Sequence, residues 1–107
     1  MSMSVQDLRV SEPSLNSVAA GLELAERAIG AIRGGASVRI DLSAALRMTP
    51  SFANALVMSM LDALGVAAFN DRVTMTTGSD LVREAWQKAI ERYERGVRLS
   101  TQHRNGA

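Results

Sequence analysis

From Phe52 to Leu64 the chain reads Phe-Ala-Asn-Ala-Leu-Val-Met-Ser-Met-Leu-Asp-Ala-Leu, and only Asn54, Ser59 and Asp62 interrupt its apolar character. Pro50 stands just ahead of this stretch and Gly65 just behind it. Proline suits the first position of a helix, where its missing N–H would be unpaired anyway, and glycine suits the stop. A helix this apolar must be largely buried or must face a partner. The remainder of the 107 residues therefore has to supply layers around it.

Those layers are legible in part. In Ser37-Val38-Arg39-Ile40-Asp41-Leu42 apolar and polar residues alternate with the period of a strand, the clearest strand signal in the chain. Val5, Leu8 and Val10 give a weaker one, and Arg72 to Thr76 is rich in β-formers. A first helix is expected to begin near Ser14, with Val18, Leu22, Ala25, Ile29 and Ile32 on one face and Gly34-Gly35 as the stop. Val66 to Phe69 reads as loop or the start of a strand, and Asn70-Asp71 as a turn. The last helix is expected from Ser79 or Asp80, with a buried stripe of Val82, Trp86, Ala89 and Tyr93. Glu84 with Lys88 and Glu91 with Arg95 would pair on its surface. The pattern predicts one α/β domain, a small mixed sheet with about three packed helices, and a frayed tail after about Leu99.

Composition narrows the function classes. Twelve Lys or Arg against eleven Asp or Glu leave a net charge of +1, which argues against an electrostatic grip on nucleic acid or acidic lipid. With no cysteine there is no disulfide, thiolate nucleophile or cysteine zinc site. The single histidine, His103, reads as a solvated side chain, and Asp41, Asp62, Asp71 and Asp80 show no metal-loop spacing. No glycine-rich phosphate loop follows a strand, so no cofactor is expected. Apolar runs are only about as long as Val66 to Phe69, far too short to span a membrane, and Met1-Ser2-Met3-Ser4 lacks the features of a secretion signal. The expected location is the cytoplasm.

Unusual local chemistry concentrates in Met48-Thr49-Pro50-Ser51-Phe52-Ala53-Asn54, between the clearest strand and the apolar helix. Thr49 fits the N-cap and Pro50 the first helical position, which places Ser51 in the first turn with its hydroxyl near the surface. One reading is simply a well-made helix start. Another is a switch: a phosphate adds close to two negative charges, which a helix N-terminus tolerates, while a partner packed there would meet a costly dianion.

The run Val38 to Ser43, then Met48 to Leu56, then Leu61 to Gly65 resembles the STAS-like family of unknown function. In that family a strand ending Ile/Leu-Asp-Phe/Leu leads into a Ser-Phe-Ala-Asn/Asp helix that stops at Leu-Gly. The similarity extends more loosely over residues 18 to 95. The family is in turn similar to the anti-sigma factor antagonists, whose corresponding turn carries Asp-Ser-Ser-Gly, and Ser51 falls at the second, phosphorylated serine. Thr49, Pro50 and Phe52 depart from the other three positions, and Ala55 stands where an acidic residue is usual.

The resemblance implies a non-catalytic module that acts by partner switching with an ATP-binding histidine-kinase-type or anti-sigma-type protein. The nucleotide would belong to that partner. Thr49, Pro50, Ser51, Phe52, Asn54 and Ala55 would form the docking surface, with Ser51 the modified hydroxyl. The alternative is an assembly module that self-associates, or packs into a larger complex, through the apolar helix 51–64. A hydrolase using Ser51 as nucleophile lacks a nearby base.

Overall fold

The structure is a computed structural model that describes residues 4–105, with side chains through residue 98. The elements are β1 (Val5–Arg9), β2 (Ser14–Leu15), α1 (Val18–Arg33), β3 (Ser37–Asp41), β4 (Arg47–Met48), α2 (Pro50–Leu64), α3 (Val66–Arg72), β5 (Val73–Thr76) and α4 (Asp80–Asn105). The α/β class expected from the alternation of strands and helices is what the chain forms. The sheet, however, is parallel rather than mixed. β3 lies between β1 and β5 and pairs with both in the parallel sense, as β2 does with β4 in a separate two-stranded sheet. The reason is connectivity. Each step from one strand of the main sheet to the next contains a helix, which returns the chain to the end from which it started.

Right-handed crossovers with the strand order β1-β3-β5 put successive helices on the same face. Accordingly α2 packs against both α1 and α4. Beneath this layer Leu8 of β1, Val38 and Ile40 of β3 and Val73 of β5 are buried in one cluster with Phe52, Leu56, Val57, Met60 and Leu61 of α2. The apolar helix that dominates the sequence is thus covered by its own chain.

The other face of the sheet is mostly polar, with Val5 of β1 its one exposed large apolar residue among those described. Parallel sheets usually have both faces covered. Here the second face carries Arg39 against Asp7 (2.6 Å), Arg9 against Asp41 (3.5 Å), and the exposed Thr74 and Thr76. Opposite charges on neighbouring strands leave a surface that water can solvate.

Several local departures have physical causes. α1 starts at Val18, later than expected, because Ser14 and Leu15 pair with Arg47 and Met48; Ser17 is its cap, with Oγ accepting from the Ala20 N–H (3.2 Å). Its buried side is Gly21, Leu24, Ala25, Ala28 and Ile32, while Val18 and Leu22 are exposed. The roll follows from the crossing with α2: a Cβ on Gly21 would sit 3.0 Å from the Phe52 carbonyl oxygen and 3.2 Å from Ala55 Cβ. Large aliphatic side chains at that contact would hold the helices apart.

Residues expected as loop or strand start and turn form α3 instead. Gly65, at φ +86°, breaks it from α2, and buried Phe69 stacks on Trp86 with ring centres 5.9 Å apart. Val82, Trp86 and Ala89 of α4 are buried as expected, Tyr93 half so. Lys88 pairs with Glu84 at 2.8 Å, whereas Glu91 and Arg95 form no ion pair among the described residues. Helical backbone runs past Leu99 to Asn105. The side chain of His103, and all of Gly106 and Ala107, lie outside what the structure describes.

No single helix among the described residues is long and apolar enough to cross a membrane; α2 and α3 reach that composition only together, bent by 112°. The helix crossing yields a paired prediction. Gly21→Val should cost about 2 kcal/mol by forcing α1 from α2. Gly30→Ala, where an added Cβ meets nothing within 4 Å, should gain up to about 1 kcal/mol from helix propensity. Urea titration of both variants checks the contrast.

Candidate functional site

The site is built outward from the end of β3. Asp41 Oδ1 accepts from the Ser43 N–H (3.0 Å) and from the Thr76 hydroxyl (3.4 Å), and Arg9 Nε lies 3.5 Å from Oδ2. Hydrogen bonds from Ser43 chiefly, with the Arg9 charge and Thr76 assisting against a desolvation cost, hold the Asp41 carboxyl below its usual range. Asp41 therefore organises the backbone that leaves the strand.

The connection 43–49 is tied down along its length. Leu46 N–H donates to Pro13 C=O (2.7 Å) and Thr49 N–H to Leu15 C=O (2.9 Å). The Ser79 hydroxyl donates to Leu46 C=O (2.9 Å), and the same oxygen accepts from Val82 N–H (3.3 Å) at the start of α4. One serine thus caps α4 and fixes the connection to it.

Thr49 and Pro50 take the positions the sequence implies. Thr49 Oγ1 accepts from Phe52 N–H (3.2 Å), and Pro50 opens the helix. Pro50 and Ser51 are exposed, Thr49 half-buried. Ser51 Oγ has no hydrogen-bond partner among the described residues.

The other three expected docking residues are placed differently. Phe52 is 2% exposed and belongs to the core, so its side chain is not offered to a partner. It shares the buried face with Leu56 and Met60, one and two turns further on. Ala55 is half-buried at the Gly21 crossing, where its small size is what the close approach needs. Asn54 Oδ1 accepts from Arg92 Nη1 at 2.9 Å, so this amide clasps α2 to α4.

What the expected set lacks lies on neighbouring elements. Leu46 is 67% exposed and Leu81 63%, unusually open for leucine. Beside Pro50 a shallow groove of about 240 Å³ runs between the connection and α4, with Leu81 on its wall and Arg47, Lys88 and Arg92 along it. The available sequence signal was that Leu81 stands off the stripe of Val82, Trp86 and Ala89; Leu46 carries no such periodic mark.

Among the described residues no group of three or more His, Cys, Asp or Glu is arranged to hold a metal ion. No protein-family model matches this chain, and neither a curated protein nor a solved structure matches it.

Two measurements probe this construction. Thr49→Ala should lower stability by about 1 kcal/mol through loss of the helix cap. For Asp41, a lowered folded-state pKa means that its contribution is fully present above its unfolded value near pH 4 and is lost as pH falls through the folded one. Urea midpoints of wild type and Asp41→Asn should therefore differ by a constant amount from about pH 7 to pH 5 and converge below about pH 4.

Proposed function

We propose that this chain is a non-catalytic protein-binding module, acting in the cytoplasm, whose docking surface is the exposed start of α2 together with the groove that Pro50 and Leu81 line. The observation that carries this reading is the exposed Ser51 hydroxyl, unpartnered among the described residues, next in the chain to Pro50, which lines a groove with the exposed Leu81. With Lys88 paired to Glu84 in the same lining, Arg47 and Arg92 leave the patch net basic, so the complementary partner surface is apolar at its centre and acidic at its rim.

The resemblance of residues 38–65 to the STAS-like family supports partner switching as the mode of action, with a kinase-type or anti-sigma-type partner that holds the ATP. Transfer of the γ-phosphoryl group to Ser51 Oγ, with loss of the hydroxyl proton and release of ADP, would add a dianion to the patch. That charge would offset the basic side and have to be desolvated under the partner, so binding falls while the fold stays. The assembly reading relied on the apolar face of helix 51–64, and most of that face is covered by α1, α4 and the sheet.

Parallel affinity captures with wild-type, Ser51→Ala, Ser51→Asp and Leu81→Glu baits test the proposal. The expected result is a partner held by wild type and Ser51→Ala and depleted at least about tenfold, equivalent to about 1.4 kcal/mol, by each of the other two. Phosphate mapped to Ser51 in the native protein would add the regulatory step. Equal recovery on all four baits would refute the docking surface.

A further inference from the structure

We propose that β5 is a self-association edge, along which two copies of this chain pair antiparallel about a two-fold axis at Met75 to form one continuous six-stranded sheet. This surface lies on another side of α4 from the Ser51 patch and does not depend on the function proposed for it.

The backbone groups of β5 divide between the paired side and the free edge. Leu42 N–H donates to Thr76 C=O (2.9 Å), so Thr76, and by strand alternation Thr74, turn their backbone groups toward β3. Val73, Met75 and Thr77 then turn theirs to the free edge. Two of these groups are already used: Val73 N–H donates to Phe69 C=O, and Thr77 C=O accepts from Arg83 Nη2 at 3.1 Å. What remains is Val73 C=O, both groups of Met75, and Thr77 N–H.

That remainder is self-complementary. In an antiparallel pair centred on Met75, each Met75 N–H meets the Met75 C=O of the second copy, and each Thr77 N–H meets the Val73 C=O of the second copy. A full ladder in this register would also join Val73 N–H to Thr77 C=O of the second copy; because Phe69 and Arg83 hold those groups within the chain, the pairing uses four inter-chain hydrogen bonds rather than six. A two-fold arrangement of this kind is closed and adds no new free edge beyond β1.

The two sheet edges also differ in protection. β1 carries Asp7 and Arg9, and charge on an edge strand discourages pairing. β5 reads Val-Thr-Met-Thr with no charge, and beside it lies an open groove of about 490 Å³ whose apolar lining includes Phe69, Met75, Trp86 and Ile90. On the same side of α4, Arg83, Gln87, Ile90 and Glu94 recur at helical spacing. Arg83 is held within its own chain by Asp80 (2.7 Å) and Thr77 C=O, so this side of α4 contributes its apolar lining to the contact rather than a charge pair.

Sedimentation equilibrium over a concentration series reads the assembly directly. Wild type is expected to reach twice the chain mass, with slowed amide exchange at Met75 and Thr77 that is lost on dilution. In the proposed register Thr74 lies opposite Thr76 of the second copy on the solvated face, where both residues are exposed. The double variant Thr74→Lys, Thr76→Lys should therefore halve the mass with unchanged far-ultraviolet circular dichroism, and Thr74→Glu, Thr76→Glu should do the same. An equimolar mixture of the two should recover the doubled mass. A wild type that stays monomeric, amide exchange at Met75 insensitive to concentration, or a dimer that survives both double variants would overturn the proposal.

Discussion

The close approach of α1 to α2 at Gly21, against Phe52 C=O and Ala55, is the contact on which the rest of the arrangement depends. α2 is apolar on so much of its circumference that it needs cover from both sides as well as from the sheet below. α4 supplies one side. α1 can supply the other at this range only because Gly21 has no side chain there and Ala55 has a small one. The roll that presents Gly21, Leu24, Ala25 and Ala28 to the core turns Val18 and Leu22 outward. Burial of the central helix outweighs exposure of two aliphatic residues at the rim, since five large side chains of α2 are almost fully withdrawn from water.

The same packing restricts where α2 can meet anything else. With its flanks covered, α2 is open to solvent at its two ends, Pro50 and Ser51 in the first turn and Asp62 and Ala63 in the last, and the first turn is held firmly. Asp41 orders the exit from β3, Pro13 and Leu15 receive backbone N–H groups from the connection, and Ser79 links it to α4. An exposed hydroxyl mounted on such a support can gain or lose charge without disturbing the core. The sheet's outer face is made mostly of paired charges and threonines, which is why a parallel sheet is stable here with helices on one side only.

The local sequence pattern matched the structure where it had no competitor. β3 alternates strictly, and its neighbours in space do not alter which face is apolar. Thr49, Pro50 and Gly65 bracket α2 because capping and positive φ are properties of single residues and their immediate backbone. It failed where two local readings were available and a distant contact chose between them. Ser14 is a good helix-start residue, but Leu15 is buried through pairing with β4, which moved the cap to Ser17. Val66 to Phe69 is too short for periodicity to distinguish strand from helix, and the stack of Phe69 on Trp86 accompanies the helical choice. Within the candidate site, Thr49, Pro50 and Ser51 were legible as a helix start. The roles of Phe52, Asn54 and Ala55 were not, because the core, Arg92 and Gly21 that engage them lie far away in the chain.

The sequence by itself determined that a period-two strand leads through a capped turn into a nearly all-apolar helix, and that the chain folds into α and β layers. Those properties follow from side-chain period, backbone preference and solvent transfer, which act on each segment separately. Only the tertiary structure decided that the described strand pairings are all parallel, that α1 is rolled onto Gly21, that Phe52 lies inside, and that Leu81 lines a groove with Pro50. Each of those outcomes depends on which segments meet. That is settled by covering α2 on every side at once, a condition no single segment carries in its own pattern.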